Sequence, residues 1–485
     1  MSRLPPTIDE PTRPSPSRDE EDGLALVILH APEPELVGAV MLVREARMVL
    51  GRGPTDPEDG AARLLPIHQR PGQNVSAGVF TSQFLSRMQL RVERRNGSGL
   101  VVENVGRCAL RNVRDEDVRK LEVEPGDVFS LGEQLLFLVT RRPDRLPSPR
   151  KPWTEAPHAF GASDGHGIVG ESPASWELRD VIAFLGIRTT HVLILGPSGA
   201  GKEVVAQAIH RSSPRGQQRI VMRNAATITP SLADAELFGN AASYPNAGMP
   251  ERPGLIGEAH GSTLFLDEIG ELPEEVQTKL LRVLDGPGDY QRLGDARRRQ
   301  SSFRLVGATN RPLDALRHDV AARMKLRVSL PGLGERREDI PLLARHLLRR
   351  IALEEPDIGA QFFEEWDGKK GVPRLTLGLV RALALQDYTT HVRELESLLW
   401  SSIGSSRGSE LEVTMDVEAA LKRRAATRDL SADDVKLALE RAGGSREKAW
   451  RDLGLPSRHA LKRLMKKHGL IPTERGASAE QDYGP

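Results

Sequence analysis

The 485-residue sequence has little cysteine, few aromatic side chains and no long apolar run. Its single cysteine, Cys108, excludes an internal disulfide and a zinc cluster built from cysteines. No apolar run approaches the ~20 residues that a membrane helix needs, and the polar N-terminus lacks the apolar core of a signal peptide. Neither sign of charge dominates, since 68 Lys and Arg stand against 67 Asp and Glu. The composition therefore predicts a cytoplasmic protein without a membrane segment, in which local clusters must identify any polyanionic partner.

Structured stretches alternate with Pro-rich ones along the chain. Residues 1–22 hold five prolines and six acidic residues, which predicts a disordered tail because so few apolar groups cannot offset the entropy of ordering. Five more prolines between 143 and 157 predict a semi-rigid linker. Between these stretches, strand-length apolar runs such as Leu24 to Leu29 and the hairpin signal Asn96-Gly97 predict a β-sandwich.

Beyond the linker, buried strands alternate with helices, which is typical of an α/β domain with a parallel sheet. The predicted strands are 191–195, 219–222, 263–266 and 303–307. We predict the following boundaries: tail 1–22, β-sandwich 23–142, linker 143–165, α/β core 166–345, helical lid 346–408, linker 409–428, short helical unit 429–471 and disordered tail 472–485.

A glycine-rich loop carries the strongest chemical signal. It follows a predicted strand and opens a helix at Glu203, and it consists of Gly196, Pro197, Ser198, Gly199, Ala200, Gly201 and Lys202. Its glycines allow backbone N–H groups to turn inward around phosphate oxygens, and the helix N-terminus adds its positive end. Lys202 places a charge on the outer phosphates. The pattern predicts an ATP-binding loop.

Two carboxylates follow the buried strand at 263–266. The order along the chain predicts that Asp267 binds Mg²⁺ and that Glu268 orients and polarises the attacking water. The next buried strand delivers Thr309 and Asn310, which are placed to sense the γ-phosphate. These residues together predict a Mg²⁺-dependent ATPase.

The stretch from Ile168 to about Ser406 resembles the AAA+ domain of the sigma-54-dependent transcriptional activators. The matching motifs are Gly170 to Pro173, the phosphate loop with Glu203, Glu236 to Gly239, Gly261 to Leu272, and Gly334 to Pro341. The resemblance implies that Asn224 couples the catalytic glutamate to remodelling and that Arg393 is the sensor II residue. It also implies that Arg317 and Arg323 are arginine fingers acting on a neighbouring subunit, so that the chain assembles into a hexamer-like ring.

One family motif is altered. The GAFTGA loop that touches sigma-54 in this family aligns with Ser243-Tyr244-Pro245-Asn246-Ala247-Gly248. Pro245 fixes φ and lacks an N–H, and the aromatic contact is lost unless Tyr244 replaces it. We therefore expect activation of sigma-54 transcription to be impaired or absent, with ATP hydrolysis retained.

The sequence pattern of the C-terminal unit predicts a helix-turn-helix. A helix over 430–442 ends at Gly443-Gly444, and a Gly-containing turn precedes a third helix that Ser457 caps. Leu461, Leu464 and Met465 would face its core. The segment resembles the Fis-type helix-turn-helix of the same family, and its predicted contacts with double-stranded DNA are Arg458, His459, Lys462, Arg463 and Lys466.

The N-terminal β-sandwich resembles a forkhead-associated (FHA) domain through Leu50 to Arg52, Leu85 to Arg87 and Glu103 to Gly106. The resemblance implies that Arg52, Ser86 and Arg87 bind a phosphothreonine protein through charge-assisted hydrogen bonds. The usual histidine is Gln89 and the usual Asn-Gly is Cys108-Ala109, so a structural or docking role stands beside phosphopeptide binding.

These features predict a DNA-binding transcriptional regulator that uses an AAA+ ring to remodel the sigma-54 RNA polymerase holoenzyme. Two alternatives stay open. The first is a sigma-54-independent DNA-binding regulator in which ATP sets only the oligomeric state, and the second is a remodeller of another protein.

Overall fold

The computed structural model describes residues 22–54, 60–95, 99–150, 158–284, 288–313, 316–428 and 432–441, with the single residues 449, 453, 461, 465 and 470. It divides into two compact units, Met1–Leu399 and Trp400–Pro485. Residues 1–21 and 472–485, predicted as tails, lie outside the described residues.

Thirteen strands form the N-terminal part of the first unit among its described residues. They are β1 (Gly23–His30), β2 (Val40–Leu42), β3 (Arg47–Leu50), β4 (Ala62–Arg63), β5 (Ile67–Arg70), β6 (Gln73–Ser76), β7 (Leu90–Arg94), β8 (Leu100–Asn104), β9 (Leu110–Arg111), β10 (Asp117–Val118), β11 (Lys120–Val123), β12 (Val128–Leu131) and β13 (Leu135–Arg142).

These strands make two sheets, one ordered β10-β9-β12-β13-β1-β2-β5-β6 and the other β11-β8-β7-β3-β4. All their pairs are antiparallel except β3 with β4. The predicted hairpin is confirmed by the pairing of β7 with β8, whereas its turn Asn96-Gly97 lies outside the described residues.

Between its two end residues strand β1 is buried without alternation, as is the paired strand β2. In β7, by contrast, buried Leu90 and Val92 alternate with more exposed residues, as expected of a strand with one face in water. Because successive side chains point to opposite faces, both faces of β1 must be covered. One cover is the helix over Leu377–Leu385.

The central part of the chain contains a parallel sheet flanked by helices. Its elements are α1 (Pro173–Gly186), β14 (Val192–Leu195), α2 (Lys202–Arg211), β15 (Val221–Asn224), α3 (Ala233–Phe238), α4 (Gly254–Glu258), β16 (Thr263–Asp267), α5 (Glu274–Leu284), β17 (Asp289–Tyr290), β18 (Arg299–Gln300), β19 (Arg304–Thr309), α6 (His318–Arg323) and β20 (Leu326–Ser329).

The five parallel strands lie in the order β15-β16-β19-β14-β20, so the predicted parallel sheet is confirmed. Apolar helix faces cover both sides of the sheet. One cluster centres on Leu264 and Leu266, and the other on Val192 and Ile194. Residues that follow β14, β16 and β19 therefore meet at one edge of the sheet, because parallel strands share their carboxyl ends.

A helical lid follows the sheet. It comprises α7 (Ile340–Glu354), α8 (Pro356–Phe362), β21 (Phe363–Glu364), β22 (Val372–Pro373), α9 (Leu377–Leu385) and α10 (His391–Ser405), and a 3-10 segment, Leu333–Asp339, leads into it. Helix α9 contacts β1 and β13. Two described residues of the predicted linker, Leu146 and Asp164, are buried.

The second unit begins at Trp400 and includes α11 (Met415–Arg428) and α12 (Ala432–Arg441). Val435, Ala449, Leu461 and Met465 form a small apolar cluster. The inward positions predicted for Leu461 and Met465 are therefore confirmed, while Leu464 lies outside the described residues. The predicted DNA contacts Arg458, His459, Lys462, Arg463 and Lys466 also lie outside the described residues. In the described part of the chain, no helix has both the length and the apolar character to cross a membrane.

Candidate nucleotide-binding site

The phosphate loop connects β14 to α2 and depends on glycines with left-handed backbone angles. Gly199 has φ +78° and Gly201 has φ +103°. A Cβ atom on Gly199 would lie 2.2 Å from the carbonyl oxygen of Thr390, so a side chain at this position would push the lid away. The loop keeps its shape because glycine tolerates both the backbone angle and the close approach.

Lys202 is the first residue of α2, and its side chain is only 6% exposed. Its Nζ atom donates to the carbonyl oxygen of Gly196 at 3.2 Å and lies 3.4 Å from Oε1 of Glu268. The ammonium group is therefore held between the loop carbonyls and a carboxylate at the end of a neighbouring strand. This is where the outer phosphates of a nucleotide would need a positive charge.

The two predicted carboxylates lie at the end of β16. Glu268 has φ +51°, a left-handed conformation that is uncommon for a side-chain-bearing residue. Its Oε2 atom accepts from the backbone N–H of Asn310 at 3.3 Å, and its own N–H donates to Oδ1 of Asp267. Burial raises the pKa of Asp267, and the charge of Lys202 opposes that rise. Thr309 is buried, and its hydroxyl accepts from the N–H of Arg311.

Asn224 ends β15 and lies opposite Asp267 in the strand register. Its side-chain oxygen accepts from the N–H of Ala226 and caps the turn that follows. The structure therefore places Asn224 at the same edge of the sheet as the carboxylates, with its side-chain oxygen held in its own turn.

The lid supplies Arg393, the third residue of α10. Its Nη1 atom donates to the hydroxyl of Ser198 at 3.2 Å, and the N–H of Val392 donates to the carbonyl oxygen of Gly199 at 3.1 Å. The structure therefore places Arg393, the residue expected at the sensor II position, beside the phosphate loop.

The two predicted finger arginines lie elsewhere. Arg317 caps α6 and pairs with Asp319 at 3.1 Å, and Arg323 ends the same helix and donates to the carbonyl oxygen of Asp319. Among the described residues, neither lines the cleft formed by the phosphate loop, the two carboxylates and the lid. The structure therefore does not bring them to the chain's own nucleotide site.

The cleft holds about 360 Å³ and includes lid residues that the sequence motifs did not reveal. Leu343, His346, Leu347 and Arg350 of α7 all line it. They occupy positions i, i+3, i+4 and i+7, so one stripe of the helix faces the cleft. Burial, followed by the charges of Arg350 and Arg349, lowers the pKa of His346. The helical spacing was the available signal, but it could not show what the stripe faced.

Arg336 is a second cleft residue that the sequence did not identify as functional, although it lies in the motif Gly334 to Pro341. It is buried, lines the cleft and has a non-helical backbone within Leu333–Asp339. Its Nη2 atom donates to the carbonyl oxygen of Ala200 at 3.4 Å. No spacing rule identifies such a residue, because its role depends on a contact between distant parts of the chain.

Backbone contacts join the residues just before the altered loop to the β17–β18 connection, since the N–H of Ala241 donates to the carbonyl oxygen of Leu293. Asn240 donates through its side chain to the carbonyl oxygens of Ala241, Tyr244 and Pro250. The ring of Tyr244 lies directly against Gly294, where a Cβ atom would come within 2.4 Å of the ring. Tyr244 nevertheless remains 41% exposed, so an aromatic side chain is presented at the position of the altered motif.

The predicted phosphopeptide residues lie on adjoining loops of the N-terminal sheets. The N–H of Arg52 donates to the carbonyl oxygen of Ser86, whose hydroxyl accepts from the N–H of Arg107. Arg87 is exposed. Gln89 is fully buried, and its Oε1 atom accepts from the N–H groups of Ser86 and Cys108. A glutamine at this position therefore ties two loops together.

The fold and the site define an AAA+ ATPase with a phosphate loop, a carboxylate pair and a helical lid. Residues 168–331 match the family described as the Sigma-54 interaction domain. The transcriptional regulatory protein ZraR of Escherichia coli K12 is 33% identical over 314 residues, which cover 61% of this chain and 68% of that protein. The DNA-binding transcriptional regulator NtrC of Escherichia coli K12 is 42% identical over 194 residues, which cover 39% and 41%. A crystal structure of NtrX from Brucella abortus in complex with ADP is 30% identical, with 63% of this chain and 70% of that one covered at a TM-score of 0.45.

The chain belongs to the family of sigma-54-dependent transcriptional regulators, and its central domain is the AAA+ ATPase of that family.

Proposed function

We propose that this chain hydrolyses ATP as a ring and uses the energy to remodel the sigma-54 RNA polymerase holoenzyme at a DNA-bound site. The observation that carries the proposal is the convergence of Lys202, Glu268 and Arg393 on one cleft. Each comes from a different element, and together they supply a cation for the phosphates, a carboxylate for the attacking water and a lid-borne arginine.

Magnesium fits this site through Asp267. The described residues contain no group of three or more His, Cys, Asp or Glu that would hold a metal without a ligand. Mg²⁺ commonly binds through one or two carboxylates together with substrate phosphates and water. Asp267 would therefore hold the ion only with a nucleotide present, and Mg²⁺ would supply charge for the phosphate oxygens.

Assembly of the subunits into a ring is supported by the position of Arg317 and Arg323, which lie outside the cleft of their own chain. An arginine that stabilises the transferring phosphoryl group can come from a neighbouring subunit. In that arrangement, hydrolysis depends on assembly, and the two arginines of α6 complete the site of the next subunit.

Tyr244 is the residue that we assign to the sigma-54 contact. It is exposed, and its ring rests on Gly294, which limits the entropy lost when a partner binds. Its backbone carbonyl is held by Asn240. The tyrosine would thus supply the aromatic contact that the altered motif otherwise lacks.

The two outer parts of the chain complete the proposal. Five basic residues between 458 and 468, with no acidic one, fit binding to the DNA backbone and bases. The loops that hold Arg52 and Ser86 fit an FHA-type site for a phosphothreonine protein. Because Cys108 replaces an amide that would both donate and accept, we assign weak phosphopeptide binding to this site.

The decisive experiment compares Glu268→Gln with Glu271→Gln in the full chain. Glu271 is a matched control, since it lies three residues further on and pairs with Arg311 outside the cleft. Glu268→Gln should bind ATP normally but fail to hydrolyse it and to open a sigma-54 promoter in an in vitro transcription assay. Glu271→Gln should keep both activities. Transcription that survives Glu268→Gln would exclude ATP-driven remodelling.

A second experiment tests whether the altered loop contacts sigma-54 through Tyr244. Tyr244→Ala should lose binding to sigma-54 in the presence of an ATP transition-state analogue, whereas Tyr244→Phe should retain it because the ring is kept. Equal binding by both variants would show that another part of the chain makes the contact.

A further inference from the structure

Arg142 ends the last strand of the N-terminal sheets, and its side chain is only 1% exposed. Its Nη1 atom donates to Gln69 at 3.1 Å and to the carbonyl oxygen of Glu171 at 3.3 Å. Its Nη2 atom lies 3.0 Å from Oε2 of Glu338, which is 9% exposed. A guanidinium from the N-terminal sheets is therefore buried among residues of the ATPase.

Glu338 belongs to Leu333–Asp339, the segment that joins the parallel sheet to the lid. Burial raises the pKa of Glu338, and the charge of Arg142 is the strongest influence that opposes the rise. A buried ion pair contributes little net stability, but its loss leaves one charge unpaired and is strongly unfavourable. The pair therefore fixes where the segment lies.

The same short segment reaches the nucleotide site. Two residues before Glu338, the guanidinium of Arg336 donates to the carbonyl oxygen of Ala200 in the phosphate loop. One residue after it, Asp339 accepts hydrogen bonds from the N–H groups of Glu171 and Ser172. One segment thus carries both Glu338, which pairs with Arg142, and Arg336, which contacts the phosphate loop.

The N-terminal sheets also contact the ATPase at two places outside the cleft lining. On the side of the parallel sheet, Arg70 pairs with Glu171 at 2.7 Å. On the lid side, Arg381 of α9 pairs with Asp115 at 2.7 Å and donates to Ser130. Arg142 contacts a third place, the segment where the lid joins the sheet, through Glu338.

We propose that Arg142 is a positioning residue for the ATPase: it fixes Leu333–Asp339 through Glu338 and thereby holds Arg336 against the phosphate loop. Nucleotide affinity then depends on a residue that lies outside the ATPase fold. The proposal rests on the ATPase assignment but not on the sigma-54 contact or on ring assembly.

The test measures the equilibrium affinity of the full chain for a fluorescent ATP analogue, which requires neither hydrolysis nor a ring. Arg142→Met should weaken binding about tenfold, the effect of losing one charge-assisted hydrogen bond in the site. Arg336→Met should weaken it to a similar extent. The double variant should bind no worse than either single variant, because both changes remove the same contact. Arg142→Lys should restore part of the affinity, since it keeps the charge but not the fork of donors.

Two further variants separate positioning from folding. Arg381→Gln removes another attachment of the sheets to the lid and should leave affinity within twofold of the unaltered chain. If Arg142→Met does not fold, Arg142→Met combined with Glu338→Leu removes both charges and should fold with the same tenfold loss. Unaltered affinity in that double variant would overturn the proposal, and so would a roughly hundredfold loss in Arg142→Met/Arg336→Met. An unaltered chain that binds the analogue without hydrolysing ATP would instead count against the proposed function.

Discussion

Removing the carboxylate of Asp339 should destabilise the first unit strongly. Oδ1 of Asp339 accepts from the N–H groups of Glu171 and Ser172 at 2.7 and 2.9 Å, and Oδ2 accepts from the hydroxyls of Ser172 and Ser175, both at 2.6 Å. Asp339 is 1% exposed. One side chain therefore satisfies two buried backbone donors and two hydroxyl groups at the start of α1.

In Asp339→Ala the two hydroxyls can rotate towards other acceptors, but the two backbone N–H groups cannot. Each buried donor left without a partner costs about 1–3 kcal/mol, so we expect a loss of about 4 kcal/mol in the free energy of unfolding. At roughly 2–4 °C per kcal/mol for a domain of 150–250 residues, the unfolding midpoint should fall by about 8–16 °C. Differential scanning calorimetry of the full chain measures this shift.

Two variants test the reasoning. Asp339→Asn keeps Oδ1 and should lose only about 1–2 kcal/mol, because both backbone donors remain satisfied. Asp387→Ala removes an exposed carboxylate that pairs with Arg337 at 3.1 Å, and it should cost less than about 1 kcal/mol. The interpretation is refuted if Asp339→Asn is as destabilising as Asp339→Ala, or if Asp339→Ala costs no more than the surface control.

Three further predictions follow from other parts of the first unit. Gly170→Ala should be as destabilising in calorimetry as Asp339→Ala, because Gly170 has φ +135° and its Cβ would lie 2.5 Å from Oδ2 of Asp339; a midpoint within ~3 °C of the unaltered chain would contradict this. Burial, followed by the charge of Arg304, lowers the pKa of His191 from 6.5 to about 4, so its contribution to stability is full above pH 6.5 and is lost as the pH falls towards 4. By linkage, the stability lost through His191 amounts to about 2 kcal/mol at pH 5. His191→Gln should therefore reduce the difference between the free energies of unfolding measured in urea at pH 7.5 and pH 5 by that amount. An unchanged pH dependence would show that other groups cause the acid sensitivity. Arg317→Ala should lower kcat for ATP by about 10³-fold and abolish its rise with protein concentration; steady-state hydrolysis that is indifferent to this substitution would place the catalytic arginine elsewhere.

The phosphate loop and the carboxylate pair could be predicted from the sequence because their signals are local. Gly199 and Gly201 stand between a buried strand and a helix, and Asp267 ends a second buried strand. Parallel strands bring such ends together, so order along the chain was enough to place Lys202 near Glu268 in space.

The contributions of the lid and of the N-terminal sheets could not be predicted in the same way. Arg336 and His346 lie in the cleft only because the lid folds back over it, which no local pattern specifies. Arg142 occupies the end of a strand next to a Pro-rich stretch, where arginines are usually solvated. The available sign was the unbroken apolar run from Leu24 to Leu29, since a strand with one face in water would alternate.

The buried attachment of the N-terminal sheets limits how this regulator can be recombined with other N-terminal domains. A chimera that joined a foreign sensor to residue 166 would leave Glu338 buried without its counter-charge and would expose the side of α9 that meets β1 and β13. Such a chimera should aggregate or lose its lid geometry unless Glu338 and the exposed side of α9 were redesigned with it. A free exchange of N-terminal domains requires a solvated junction, so in this architecture the sheets and the ATPase would have to be exchanged together as one unit.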